Sequence, residues 1–266
     1  MTGTAIANIN ETWAAQADAA AQSEPLSGST FLSTRGGVLS FGEDALPGNQ
    51  CAVIVLDSVR ENTLYEGEFD AEQVQAPRCY AFGRADEEMA PHPTMQSDLT
   101  YFMPQAETCA ACQFNEWGSA EKGRGKACQN RRRLTLIPAG YYLPKAASRD
   151  FDLHLFDDPK HYQTADMAFM KLPVTSVKDW AKYVTQVSAT LRRPPHGVIT
   201  RIYLEPDPKS QYRVKFEVVE EVSDELAAIV IARHEAAIAL VPQGYSAPDP
   251  EAQANQPARG IRGLRR

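Results

Sequence analysis

The chain has 266 residues, 43% of them hydrophobic and 23% charged, a balance that suits a soluble globular protein of one large domain or two small ones. A formal net charge of −7 excludes a protein that is basic throughout, and no apolar run approaches the roughly 18–20 residues of a membrane-spanning helix. The first residues carry neither a basic nor an apolar signal-like region, so the expected setting is cytoplasmic, where five cysteines point to metal or redox chemistry instead of disulfides.

In chain order, residues 1–28 read as a flexible acidic arm: Ala-rich, helical from about Ile6 to Ala21, with Glu11, Asp18 and Glu24 and neither Lys nor Arg. Thr30–Ser33 and Val38–Phe41 then read as strands about the turn signal Gly36-Gly37. Cys51–Val59 is a continuous apolar run fit for a buried strand, and Arg78–Phe82 is a shorter strand. From Gly83 to Asn130 periodicity is lost among Pro91, Pro93, Pro104 and a cluster of glycines, an irregular stretch that needs something to hold it.

Strand character resumes over Arg133–Ile137, Phe151–Phe156 and Met167–Leu172. Ser176 is placed to cap a helix over Val177–Leu191, whose Val177, Trp180, Val184, Val187 and Leu191 share one face before Pro194-Pro195 stops it. Val198–Leu204 and Tyr212–Val219 alternate apolar with polar residues about Pro206-Asp207-Pro208, which predicts a hairpin with one wet face. A last helix follows Ser223 to about Leu240, and the Pro, Ala, Gln and Gly content of 242–266 predicts a disordered tail. Together these elements predict an α+β fold over residues 29–241: an antiparallel OB-like barrel with an inserted loop module at about 79–133 and late helices.

Cys109-Ala110-Ala111-Cys112 has the spacing of a zinc knuckle, in which one tight turn offers two thiolates to a tetrahedral ion. Cys128 follows fifteen residues later without a partner two positions away, so a fourth donor has to come from elsewhere. Cys79 is the first choice and His92, in Pro91-His92-Pro93, its competitor. Redox use would want a helix N-terminus after the pair to lower the thiol pKa, whereas Gln113-Phe114-Asn115 and a glycine loop follow. Cys51 belongs to an apolar run and reads as a core residue; His154, His161, His196 and His234 lack ligand spacing. Four protein ligands leave no open position for water and no motif supplies a general base, so the zinc is expected to be structural and the protein not an enzyme.

From Glu121 to Arg133 six cations (Lys122, Arg124, Lys126, Arg131, Arg132 and Arg133) oppose one acid, so this segment carries +5 and the remaining chain −12. A basic patch on an acidic body suggests an anionic partner met at one place. The segment is no P-loop, because the position of the required first glycine is Ala120 and Ala127 stands where Ser or Thr belongs. Cations that track a phosphate backbone and rings on which bases stack are what a single-stranded nucleic acid needs, and Phe114 and Trp117 lie just ahead of the cations. The plainer reading has the rings packing beneath the knuckle and the arginines solvated. Arg192, Arg193, Arg201, Arg213 and Lys215 could extend the surface, though each alone reads as solvation.

The phrase Asn115-Glu116-Trp117-Gly118-Ser119, then Gly123-Arg124-Gly125-Lys126-Ala127-Cys128 and Arg132-Arg133-Leu134, with the preceding Cys and Cys-x2-Cys, resembles a group of bacteriophage proteins. The similarity extends from Phe31 to the helix after Ser223, and Gly-Lys-Ala-Cys is its most specific part. The resemblance implies zinc-containing, single-stranded-DNA-binding proteins in which a zinc module sits beside an OB-fold, and it implies the host cytoplasm as location. The expected function is therefore sequence-tolerant single-stranded DNA binding in phage DNA replication or recombination. The alternative is a zinc-containing protein-interaction or transcription-regulating protein that docks replication or transcription proteins.

Overall fold

The computed structural model describes residues 31–42, 44–66, 76–146 and 148–247. The expected N-terminal arm and its helix lie outside them, as does the expected tail from residue 248. Among the described residues ten strands occur: β1 (Phe31–Ser33), β2 (Ser40–Phe41), β3 (Asp44–Ala45), β4 (Gln50–Leu64), β5 (Cys79–Gly83), β6 (Gln129–Pro144), β7 (Phe151–Leu155), β8 (Ala168–Leu172), β9 (Val198–Asp207) and β10 (Gln211–Glu221). Three α-helices accompany them among the described residues: α1 (Pro159–Thr164), α2 (Val177–Leu191) and α3 (Asp224–Leu240).

The two long strands β4 and β6 form the spine. They pair antiparallel from Ala52↔Gly140 to Thr63↔Gln129, with a bulge between Val55 and Asp57. Each then branches. One edge of β4 pairs with β9 near Gln50–Val53 and with β5 near Arg60–Leu64, while β6 pairs with β8 near Arg132–Leu136 and with β7 near Gly140–Pro144.

The α+β class holds, but the OB-like barrel does not form. The ten strands make one large open sheet in the order β10-β9-β4-β6-β8-β1-β2-β3, and β1 runs parallel to β8. The physical reason is written in β4. A small barrel strand turns one face inward, so its apolar residues alternate, whereas Cys51–Leu56 is apolar on both faces and needs a layer on each side. Cys51, Val53 and Val55 pack with Leu134, Leu136, Met170 and Leu172 under Trp180, Tyr183 and Val187 of α2. Ala52, Ile54 and Leu56 pack on the other face with Ile137, Ala139, Tyr162 of α1 and Val230 and Ala237 of α3. Cys51 is thus a core residue, its thiol pushed up to about 12 by burial.

A third cluster, with Val59, Tyr80, Phe82, Met95, Phe102 and Val241, lies at the far end of the sheet and is joined by Tyr245. The disorder expected from residue 242 is therefore overturned for residues 242–247. Through residue 247 the chain is docked, because Arg133 Nη1 donates to the Gln243 carbonyl at 2.7 Å and the Tyr245 ring packs edge-on against Tyr80 at 4.9 Å. Among the described residues no helix is long and apolar enough to cross a membrane.

Candidate metal centre and basic loop

The bulge in β4 reverses which side chains face which side of the sheet, and beyond it Asn62 and Leu64 share a face with Asn130 of β6 and with Ala81 and Cys79 of β5. The loop from 84 to 128 folds onto this face. Cys109 N–H donates to the Met89 carbonyl at 2.8 Å, Asn115 N–H to Cys112 O at 2.9 Å and Cys128 N–H to Phe114 O at 2.8 Å. These bonds bring the Cys109–Cys112 turn and the start of β6 beside the first residue of β5. Cys79, Cys109, Cys112 and Cys128 line one pocket, with Asn62, Tyr80, Phe114, Asn115 and Pro91 among its other walls.

Burial raises the thiols of Cys79, Cys109 and Cys128, the last to about 12, and the neighbouring thiols add to the effect. Donors oppose it: the Gln105 backbone N–H points at the Cys79 sulfur, the Asn62 amide at Cys109, and the Lys126 ammonium favours a thiolate at Cys128. A pocket that crowds four thiols yet aims donors at them suits thiolates held by a cation, and four sulfur donors match structural zinc. As the side chains stand they are not a ready-made ligand set, since among the described residues no three His, Cys, Asp or Glu are arranged to hold a metal ion. His92 is engaged elsewhere. Its Nδ1 meets Thr94 Oγ1 at 2.7 Å and its ring stacks on Tyr80 at 5.5 Å, so only its neighbour Pro91 lines the pocket.

The basic loop closes on itself. Gly118 N–H and Ala120 N–H both donate to the Gly125 carbonyl, at 2.9 and 3.2 Å, and Ser119 Oγ donates to the Phe114 and Glu116 carbonyls while accepting from Ala127 N–H. Gly118 (φ 89°) and Gly123 (φ 84°) occupy the left-handed region, where a side chain would be strained. At the tip Trp117 is 80% exposed. Lys126 stands 5.8 Å from the centre of its ring and donates to Asn115 Oδ1 at 3.1 Å. Lys122 and Arg124 are exposed on the same loop, whereas Phe114 is half-buried against the cysteine pocket.

The arginine run does not form one surface with that loop. Successive strand residues face opposite sides, so Arg131 and Arg133 leave the knuckle face on which Arg132 remains. Arg132 is half-buried beside Arg60, which is itself paired with Asp86. Arg133 is buried, and its Nη2 donates to Glu61 Oε1 at 2.7 Å; as a nucleic-acid contact it is corrected to a structural residue. Arg193, Arg201, Arg213 and Lys215 are each paired with carboxylates and do not extend the basic surface.

The asparagines that carry the module were not singled out in the sequence. Asn115 Nδ2 donates to the Cys109 carbonyl at 2.8 Å, and Asn130 Nδ2 donates to both Asn115 Oδ1 and Asn62 Oδ1, at 3.0 and 2.6 Å. The available signal was a polar Asn62 inside a strand that starts apolar. Comparison with protein-family models, with curated proteins and with solved structures finds no match for the chain.

Proposed function

We propose that the protein binds single-stranded DNA without sequence preference, in phage replication or recombination, through a loop held by a structural zinc ion on Cys79, Cys109, Cys112 and Cys128. The observation that carries the reading is Trp117: an indole left 80% exposed on a hydrogen-bonded turn, with Lys126 beside it. Leaving so large a ring in water is unfavourable unless it meets a partner, and a base presents a flat face whatever its identity. Lys122, Arg124 and Lys126 supply charge for the phosphates on either side.

The test is a salt titration of oligothymidylate affinity. Each phosphate contact contributes about −0.7 to the log-log slope, so replacing Lys122, Arg124 and Lys126 together by Ala should flatten the slope by about 2. An unchanged slope would show that these cations merely face solvent.

A second reading, docking to a replication or transcription protein, is favoured by α3. Ile231, Ile238 and Leu240 are 50%, 43% and 40% exposed on a helix whose other side is already packed. Capture of a partner that is indifferent to salt and to oligonucleotide, and is lost in Ile231→Glu, would support it.

A further inference from the structure

On the face of the sheet opposite the cysteine pocket, four charged side chains meet where one acid cannot balance three bases. Glu61 and Arg131 are direct partners in the β4–β6 register, and Arg133 and Lys171 are direct partners in the β6–β8 register. Residues 241–247 cross over them after α3.

Glu61 is wholly buried and its Oε1 is already engaged, by Arg133 Nη2 at 2.7 Å and by the Tyr245 hydroxyl, which donates to it. Arg133, 5% exposed, spends its Nη1 on the carbonyls of Gln243 and Val241, at 2.7 and 3.4 Å. Arg133 and Glu61 therefore neutralise each other.

Arg131 and Lys171 are left over. Among the described residues neither has an ion pair or a hydrogen bond through its side chain; Lys171 lies only against aromatic faces, 4.4 Å from the centre of Tyr245 and 5.8 Å from that of Phe31. The Nε atoms of Arg131 and of the nine-tenths-buried Arg133 are both out of reach of water and without a partner; Glu61 Oε2 is likewise unpartnered, so two donors face a single open acceptor and the patch keeps its excess of two positive charges. Two surplus half-buried cations and two orphaned donors on one patch make an arrangement that a protein retains at a cost unless an anion completes it.

We propose that this patch, between Arg131 and Lys171 beneath residues 241–247, is a binding site for a phosphate group. A phosphate carries close to two negative charges and several acceptor oxygens, which answers two cations and two N–H donors together, and a guanidinium meets its oxygens in a fixed fork. The burial that leaves Lys171 short of solvent brings its pKa down to about 8; the Glu61 carboxylate opposes that fall, Arg133, Arg131 and Arg35 add to it, and a bound dianion would reverse it. Phe31, 42% exposed at the rim, gives an attached group somewhere to pack. The site lies across the sheet from the Trp117 loop and does not depend on the reading of that loop.

The phosphate group has three sources, free phosphate, a mononucleotide, or the backbone of a strand, and one set of titrations separates them. The full chain is titrated at constant ionic strength with inorganic phosphate, with a deoxynucleoside monophosphate and with oligothymidylate, followed by melting temperature and calorimetry. Saturable stabilisation by inorganic phosphate is expected, weakened at least about tenfold in Lys171→Met and in Arg131→Gln and unchanged when Lys122, Arg124 and Lys126 are replaced by Ala. Competition by the monophosphate alone assigns a nucleotide, and competition by the oligomer assigns a strand.

A measurement on the unaltered protein guards against variants that fail to fold: phosphate should slow acylation of the Lys171 amine, read by peptide mass. The proposal is overturned if phosphate gives no saturable effect beyond that of chloride, if the two variants respond as the parent does, or if Lys171 labelling ignores phosphate. Loss of oligonucleotide binding in the loop variant with phosphate binding intact, or the reverse, shows which of the two readings has failed.

Discussion

Asn62 and Asn130 stand directly opposite each other in β4 and β6, and the Asn130 amide donates to Asn62 Oδ1 at 2.6 Å. That bond fixes which end of the Asn62 amide is left over, and its Nδ2 faces the Cys109 sulfur. An N–H aimed at a thiolate stabilises the charged form and orients the donor. Asn62→Ala should therefore lower zinc affinity about 10–100-fold, measured by competition with a chromophoric chelator. Affinity equal to the parent's would mean that the amide only packs.

Zinc itself should copurify at one equivalent per chain, because two knuckle thiolates, Cys128 and Cys79 complete a sulfur tetrahedron. Cys79→Ser should lose the metal and His92→Ala should keep it, since the His92 imidazole is committed to Thr94 and Tyr80. Elemental analysis of protein purified without chelator decides the first point. The opposite ranking of the two variants would return His92 to the ligand set.

Arg132 and Arg133 are neighbours in sequence with different fates. Removing Arg133 leaves Glu61 charged and wholly buried, so Arg133→Ala should cost about 3–5 kcal/mol in urea unfolding. Arg132→Ala should cost less than about 1 kcal/mol, as its side chain is partly solvated and no ion pair holds it among the described residues. Equal losses would mean that Glu61 finds another partner.

That contrast also shows what the residues alone could and could not say. The helix over Val177–Leu191 was legible to the residue because its apolar spacing and the prolines after it agree, although Ser176 does not cap it, its Oγ accepting from Val214 N–H at 2.9 Å instead, and the hairpin after Val198 was legible from alternation. The strand expected over Arg133–Ile137 runs instead from Gln129 to Pro144, because pairing with β4 extends it through residues with no strand pattern of their own. Spacing placed Cys109, Cys112 and Cys128 in one module, whereas nothing local decides between Cys79 and His92 as the fourth donor, since the proximity of Cys79 depends on β5 pairing with β4. A run of three arginines looked like a single patch. Nothing local tells which members of a strand will meet a buried acid 72 positions away.

Lys171 sets a pH dependence with a definite sign. Its pKa falls from the usual lysine range to about 8 because burial, with the nearby arginines, disfavours the charge more than the Glu61 carboxylate favours it, so between about pH 8 and 10 the unfolded chain holds a proton that the folded chain has released. Stability contributed through Lys171 must rise with pH in that window. Tyr162 and Tyr183, pushed up to about 12 by burial, and Cys51 act in the opposite direction above about pH 9, so the comparison has to be with Lys171→Met. From pH 7 to 9 the parent should gain about 1 kcal/mol over that variant in urea unfolding, by the 1.36 kcal/mol per pH unit of linkage, and saturating phosphate should abolish the difference. A gap independent of pH would mean that Lys171 keeps its charge throughout.

Trp117 separates stacking from packing. A base stacked on an indole is worth about 1–3 kcal/mol by alanine substitution, and the ring's fluorescence is quenched on binding whatever the strand's sequence. The ring is 80% exposed, so nothing in the knuckle requires it: Trp117→Ala should leave zinc content and melting temperature unchanged while oligothymidylate affinity falls about 5–100-fold. Trp117→Phe keeps an aromatic face and should lose far less. To isolate the signal, Trp13 and Trp180 are replaced by Phe; Trp180 is 2% exposed and packs on Tyr183 and Phe216, so Phe there retains most of the contact. Quenching that survives in this background comes from Trp117 alone. If Trp117→Ala binds the oligomer as the parent does, the exposed indole serves a different partner, and the apolar face of α3 becomes the surface to pursue.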